Sequence, residues 1–172
     1  MAIAPDTKNW TWVLDRRCDE CGFDAGTFPA ERTGAAVRQN AKEWRALFML
    51  PNASRRSHDD RWSTLEYACH VRDVFRIFSQ RLDLMLTTDG PRYENWDQDE
   101  AARRDAYGDQ TPERVADEID EIALALADLF DSVSGVQWHR TGSRTDGAEF
   151  TVESFARYFI HDPIHHLWDV TG

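Results

Sequence analysis

The sequence predicts an all-α fold, a four-helix bundle with a long link that serves as a crossover before the third helix. Apolar residues recur at intervals of three and four through most of the 172 residues, which is the spacing of one helical face. No segment shows a competing alternation of apolar and polar residues, and the chain contains no internal repeat. A chain of this length buries a core without disulfides or a structural metal.

Each helix is predicted from its own apolar stripe. The first carries Val37, Ala41, Trp44 and Phe48. The second carries Tyr67, Val71, Phe75, Phe78, Leu82 and Met85. The third is expected to have Thr111 as N-cap and Pro112 at its first position, followed by Val115, Ile119, Ile122, Leu126, Leu129 and Val133. The fourth is expected to begin at Thr151 and, being apolar nearly all round, to be buried. Pro163 predicts a kink in it.

Composition and charge limit the functions that the chain can have. The 20 basic and 31 acidic side chains give a formal net charge of −11, which repels nucleic acid phosphates and anionic lipid. We find no signal peptide and no apolar run long enough to span a bilayer, so we expect a cytoplasmic protein. Small molecules are the expected partners, and a homodimer stays open. We expect residues 1–28 to form an N-terminal segment packed on a bundle of residues 29–172.

The stretch YFIHDPIHHLWDV, close to the C-terminus, carries a candidate pair of metal ligands. His161 and His165 are four residues apart, so on a helix both imidazoles point the same way. The zinc-protease motif H-E-x-x-H is not present, because Asp162 replaces the glutamate and a proline follows it. Few residues follow the pair, and a third ligand is therefore expected upstream. His70, at the edge of the second apolar stripe, is the best candidate.

Simpler interpretations of these histidines stay open. His70 would then be a core histidine with ordinary hydrogen bonds, and the spacing of His161 and His165 would be incidental. His166 points about 100° away from His165. Together with Asp162 and Asp169 it is expected to form a cluster on another face, with a structural or surface role.

The segment WSTLEYACH on the second helix, followed by H-x-x-x-H on the last, resembles the DinB/YfiT-like superfamily over roughly residues 30–170. That superfamily includes mycothiol-dependent maleylpyruvate isomerases and thiol S-transferases. The resemblance implies an up-down-down-up bundle and one divalent metal ion, zinc or nickel, held by three side chains. Carried over to this sequence, the ligands are His70, His161 and His165. In the isomerase branch the first residue of the last pair is a glutamate, from which His161 departs.

Three neutral imidazoles leave a metal ion with an open coordination position, which is typical of a catalytic site. A thiol bound there would be deprotonated. We therefore expect an enzyme that transfers a low-molecular-weight thiol, such as mycothiol, to a small electrophile. A metal-dependent hydrolase and a non-catalytic, stress-related metal-binding bundle are the alternatives.

Three further residues are candidates for supporting roles around that ion. Glu66, one turn before His70, and Asp162 are candidates to orient the ligand imidazoles from behind. Arg144, which precedes the last helix, is a candidate to contact an anionic group of the substrate.

The segment RRCDECGFD near the N-terminus contains C-x-x-C-G, the pattern of a zinc knuckle. Cys18 and Cys21 are therefore candidates for a second metal site, whose remaining ligands would come from Cys69, His58 or His139. A redox pair and two idle reduced thiols are the alternatives.

Overall fold

In the computed structural model, which describes residues 9–172, most of the chain is helical. Four long helices and one short one account for the helical residues outside 3₁₀ turns. They are α1 Thr33–Phe48, α2 Thr64–Thr87, the short α3 Gln98–Arg104, α4 Pro112–Ser132 and α5 Val152–Thr171. The four long helices coincide with the four apolar stripes of the sequence.

The starts of these helices follow from local sequence. Ser63 and Glu66 form a capping box that begins α2, and Thr151 and Ser154 form one that begins α5. Each box satisfies backbone N–H groups that have no partner within the helix. Pro163 lies inside α5, which continues unbroken around it.

The core forms where α1 and α2 each pack against both α4 and α5. Large aromatic side chains fill the space between the helices: Trp44, Phe75, Phe130, Phe155 and Phe159 are all buried. Phe159 of α5 stacks on Phe130 of α4, with the ring centroids 5.5 Å apart. α5 is therefore a buried member of the bundle, as its composition predicts.

A small sheet corrects the all-α prediction. Its strands are β1 Arg92–Tyr93, β2 Thr141–Arg144 and β3 Glu149–Thr151, with β2 in the centre, parallel to β1 and antiparallel to β3. Strands of two to four residues are too short to show the period-two alternation that identifies a strand in a sequence. The sheet joins the α2–α4 link to the segment before α5. The up-down-down-up order of the helices stays a prediction.

The N-terminal segment lies against α5. A 3₁₀ helix, Trp10–Leu14, contacts that helix directly, and residues 18–23 then form a tight turn. Residues 1–8 of the predicted segment lie outside the described residues, and its boundary at residue 28 stays a prediction. From residue 9 onward, no helix combines the length and apolarity needed to cross a membrane.

Candidate functional site

Helix α5 presents two adjacent pairs of potential metal ligands. His161 and His165 form one pair, and Asp162 and His166 form another with the same spacing of four residues. Residues four apart lie one above the other on a helix, whereas consecutive residues are rotated by about 100°. The two pairs therefore face different neighbours.

The second pair meets α2 in a carboxylate–histidine cluster that consists of His70, Asp162 and His166. One potential ligand atom from each residue lies within 4.8 Å of the other two. Nε2 of His70 is 3.4 Å from Oδ1 of Asp162, and Nε2 of His166 is 3.7 Å from the same oxygen. Two nitrogens and one carboxylate oxygen form a ligand set that zinc and other first-row ions accept in catalytic sites.

His70 is completely buried and makes no ordinary hydrogen bond within the described residues. Its ring stacks on Trp96, with centroids 5.4 Å apart, and also contacts Trp62. Both of its ring nitrogens and Oδ1 of Asp162 are buried without a hydrogen-bond partner among residues 9–172. The 3.4 Å approach between them has the distance of an ion pair but not the geometry of a hydrogen bond. Buried polar atoms normally have partners, so these atoms fit a bound cation.

The charges around Asp162 keep its carboxylate ionised. Burial by itself would raise the pKa of Asp162, but the neighbouring His70 and His166 outweigh burial and lower the pKa to about 2. Nδ1 of His166 is 2.8 Å from a carboxylate oxygen of Asp169, so Nε2 is the nitrogen that faces Asp162. A carboxylate behind one imidazole nitrogen orients the other nitrogen toward a metal.

The first pair on α5 meets the N-terminal segment in a cysteine–histidine cluster that consists of Cys18, Cys21, His161 and His165. One potential ligand atom from each residue lies within 4.8 Å of the other three. Sγ of Cys18 is 3.6 Å from Nδ1 of His165. Both cysteines are free thiols, and Cys18, His161 and His165 are buried.

Burial shapes the acid–base properties of this second cluster. Burial, together with the neighbouring His165, lowers the pKa of His161 to about 4. Burial also lowers the pKa of His165 and raises the pKa of Cys21 to about 11. The lowered pKa values favour the neutral form of both imidazoles, which is the form that binds a metal.

A cavity of about 110 Å³ lies beside both clusters. Asp162 and His166 form part of its wall, and so do His161 and His165. Trp10 of the N-terminal segment also lines it. The carboxylate–histidine cluster has only three protein ligands, so a metal bound there would have a position available to a small molecule in the cavity.

Two arginines give the cavity a positively charged wall, Arg81 of α2 and Arg144 of β2. Arg144 pairs with Asp146 and donates to the hydroxyl of Tyr158. Arg81 is buried and donates to the backbone oxygen of Glu94 at 2.7 Å, but no carboxylate among residues 9–172 pairs with it. Burial lowers the pKa of Arg81 below its usual range, and the charge on Arg144 adds to this effect. The arrangement suits an anionic group in the cavity.

The ligands predicted from the sequence are divided between the two clusters. His161 and His165 lie together as expected, but with the two cysteines, whereas His70 lies with Asp162 and His166. Asp162 lies close to the imidazoles of His70 and His166, and its role in orienting ligand imidazoles stays a prediction. Arg144 lies in the cavity wall.

Glu66 belongs to neither cluster of potential metal ligands and lies in the capping box that begins α2. Its carboxylate accepts hydrogen bonds from Arg56 and from the backbone N–H of Ser63. The residues suggested as partners for Cys18 and Cys21 are in neither cluster: Cys69, His58 and His139. Cys69 is buried in the core, where burial raises the pKa of its thiol to about 12.

Two residues of the cavity wall, His166 and Arg81, are not among the site residues predicted from the sequence. The structural or surface role of His166 stays a prediction, although its spacing of four from Asp162 is the same signal that identifies His161 and His165. Arg81 carries no signal in the sequence, because a charged residue beside an apolar stripe is usually solvated. Only the fold brings it to the cavity.

Comparisons with known proteins bear on the family and the fold. A search of curated protein sequences finds no significant match. The chain is structurally similar to YfiT from Bacillus subtilis, described as "a probable metal-dependent hydrolase with an unusual four-helix bundle topology". The two share 17% sequence identity with a TM-score of 0.65, and the match covers 98% of this chain and 89% of YfiT. The sequence model of the DinB superfamily matches residues 37–170. A match over most of the chain, with a bundle of the same architecture, shows that this protein belongs to the DinB superfamily.

Proposed function

We propose that this protein is a divalent-metal-dependent enzyme that acts on a small anionic molecule, with the metal held by His70, Asp162 and His166. The observation that carries the proposal is His70, a fully buried histidine without hydrogen bonds in the described chain, which faces an ionised carboxylate and a second imidazole at the edge of a cavity. A buried histidine with only a structural role normally has a hydrogen-bond partner.

The residues around the cavity would have different roles in such an enzyme. A divalent ion held by the three side chains would act as a Lewis acid and would promote deprotonation of a water or thiol. Arg81 and Arg144 would bind an anionic group of the substrate and orient it. Trp10 and Trp96 would exclude bulk water from one side of the cavity, where both rings line the wall.

Transfer of a low-molecular-weight thiol to a small electrophile is the reaction that we favour. In the mycothiol-dependent isomerases that the chain resembles, the metal-binding pair on the last helix begins with a glutamate. His161 departs from that pattern, but Asp162 and His166 restore it as a carboxylate followed four residues later by a histidine. The ligand set proposed from the structure is therefore closer to the thiol-dependent branch than the three-histidine set predicted from the sequence.

Hydrolysis is the second candidate, and the similarity to YfiT supports it. The two reactions differ in the nucleophile that occupies the open position. Zinc- or nickel-loaded protein should consume mycothiol or another thiol together with monochlorobimane faster than buffer does, if thiol transfer is correct. Turnover of ester or amide substrates with no thiol requirement would reject thiol transfer and favour the hydrolase.

The metal assignment is tested by comparing variants of the two pairs on α5. Asp162→Asn and His166→Ala should abolish turnover and one equivalent of bound metal, with His58→Ala as a control for an exposed histidine outside both clusters. Full activity in Asp162→Asn and His166→Ala would reject the carboxylate–histidine cluster as the reactive centre.

A further inference from the structure

We propose that the cysteine–histidine cluster is a closed zinc site with four protein ligands, Cys18, Cys21, His161 and His165, which fastens the N-terminal segment to α5. The site is distinct from the reactive centre, and it does not depend on the reaction proposed above. Its role is structural, because four protein ligands fill the tetrahedral coordination of zinc and leave no position for a substrate.

The spacing of the ligand atoms fits this ion. Zinc–sulfur bonds of about 2.3 Å and zinc–nitrogen bonds of about 2.0 Å place sulfur and nitrogen about 3.5 Å apart in a tetrahedron. Sγ of Cys18 and Nδ1 of His165 are 3.6 Å apart. The four potential ligand atoms lie within 4.8 Å of one another, so only small side-chain movements separate the cluster from tetrahedral geometry.

The two imidazoles present identifiable nitrogens. Nε2 of His165 lies 3.4 Å from the carboxylate of Glu20, which leaves Nδ1 directed at Cys18. A carboxylate behind a ligand histidine holds the ring in the tautomer that binds zinc. In His161, Nε2 is buried and has no hydrogen-bond partner among the described residues. This unpartnered atom is the one that would complete the site.

The two cysteines lie on a tight turn that backbone hydrogen bonds close. The N–H of Gly22 donates to the oxygen of Cys18 at 3.0 Å, and the N–H of Cys18 donates to the oxygen of Phe23 at 2.8 Å. Gly22 has φ +77°, a conformation that side-chain-bearing residues rarely adopt. The turn directs both thiols toward α5, where the rings of Trp10 and Phe23 contact His161.

Charge and burial favour zinc over an empty cluster. Two thiolates neutralise one divalent ion, so the loaded site buries no net charge. Two sulfur and two imidazole ligands are a typical structural zinc set, and sulfur selects against magnesium and calcium. Because Trp10 lines the cavity, holding the segment in place would also complete the cavity wall beside Asp162.

X-ray absorption at the zinc edge tests the ligand set directly. The His70→Ala variant, loaded with one equivalent of zinc, isolates the cysteine–histidine cluster, because His70 belongs to the other one. We expect a mixed shell of sulfur at about 2.3 Å and nitrogen at about 2.0 Å. A shell of oxygen and nitrogen alone would overturn the proposal, whatever the outcome for the reaction.

Thiol labelling tests the site in the unmodified chain, where folding of a variant is not in question. In zinc-loaded wild-type protein, Cys18 and Cys21 should be protected from a thiol reagent and should react once the metal is chelated. Equal labelling with and without zinc, or a Cys18–Cys21 disulfide in the zinc-loaded protein, would overturn the proposal.

Cobalt-substituted protein allows variants of the cluster cysteines to be compared with a variant of a cysteine outside the cluster. The wild type and the Cys69→Ala control should both show a thiolate-to-cobalt charge-transfer band, because Cys69 is in the core and outside both clusters. The Cys18→Ala/Cys21→Ala variant should lose the band and one metal equivalent. A band that persists in the double variant would also contradict the assignment.

Discussion

The two clusters use adjacent residues of α5 and line the same cavity, yet they differ in the number and kind of ligands that they offer. The carboxylate–histidine cluster offers three ligands beside a cavity, and its carboxylate and His166 form part of the cavity wall. The cysteine–histidine cluster offers four ligands, two of them sulfur, beneath the N-terminal segment. If the two clusters have the roles proposed for them, the number of protein ligands, and not the histidine pattern, separates a reactive centre from a structural one.

The largest expected effect is a loss of turnover, which should be severe in variants of the carboxylate–histidine cluster and small in variants of the cysteine–histidine cluster. Asp162→Asn should lower turnover by at least about 100-fold, because loss of a ligand costs at least as much as loss of a residue that supports one. Activity measured with saturating metal checks this. If the clusters have the proposed roles, Cys18→Ala should reduce turnover far less than Asp162→Asn. Equal losses in both variants would mean that the clusters form one functional unit.

Metal removal should reveal the stabilising role of the cysteine–histidine cluster. Zinc at about a thousandfold excess over its dissociation constant would stabilise the folded state by about 4 kcal/mol. Chelation should therefore lower the melting temperature of the wild type clearly, and should lower that of Cys18→Ala/Cys21→Ala much less. Calorimetry with and without chelator measures both. An equal shift in the two proteins would assign the stabilising ion to the other cluster.

The cavity arginines should affect substrate binding more than chemistry. Arg81→Met should raise KM for an anionic substrate about 10-fold or more, which corresponds to the loss of a charged hydrogen bond, with a small change in kcat. Arg92→Met is the control, because Arg92 is exposed and outside the cavity wall, and its side chain donates to the backbone oxygen of Thr145. An unchanged KM in Arg81→Met, measured by steady-state kinetics, would exclude Arg81 from substrate binding.

Glu66 should contribute to stability and not to metal binding. Burial by itself raises the pKa of Glu66, but hydrogen bonds from Arg56 and Ser63 outweigh burial and lower it below 4.5. A lowered pKa in the folded state means that the ionised carboxylate stabilises the fold above the unfolded pKa, and that this contribution is lost as the pH falls through the folded pKa. Glu66→Gln should therefore cost about 1–3 kcal/mol at pH 7, and the cost should shrink as the pH falls below the unfolded pKa of the carboxyl group.

Urea unfolding of both proteins across this pH range measures the difference in free energy. Metal content is the second readout, and it should be unchanged in Glu66→Gln. Loss of metal with no pH-dependent difference in stability would place Glu66 beside the ligands after all, as the sequence predicted.

The helices of the bundle could be predicted because the signals that specify them lie within each helix and at its start. Apolar stripes at helical spacing and the capping residues Ser63 and Thr151 identify the long helices and their starts. The small sheet was not predictable, since strands of two to four residues depend on partners distant in sequence. The cysteine pair was recognisable from its spacing, but its partners on α5 were not, because 140 or so residues separate them and only folding brings them together.

The sequence by itself determined the spacing of four residues between His161 and His165, the same spacing between Asp162 and His166, and the position of His70 at the edge of the apolar stripe of α2. Only the tertiary structure decided which pair meets His70. A rotation of α5 about its axis by about 100° would exchange Asp162 and His166 for His161 and His165. Packing of the apolar side chains of α5 against α1 and α2 sets that rotation, because a close-packed core admits one orientation of a buried helix and not its neighbours.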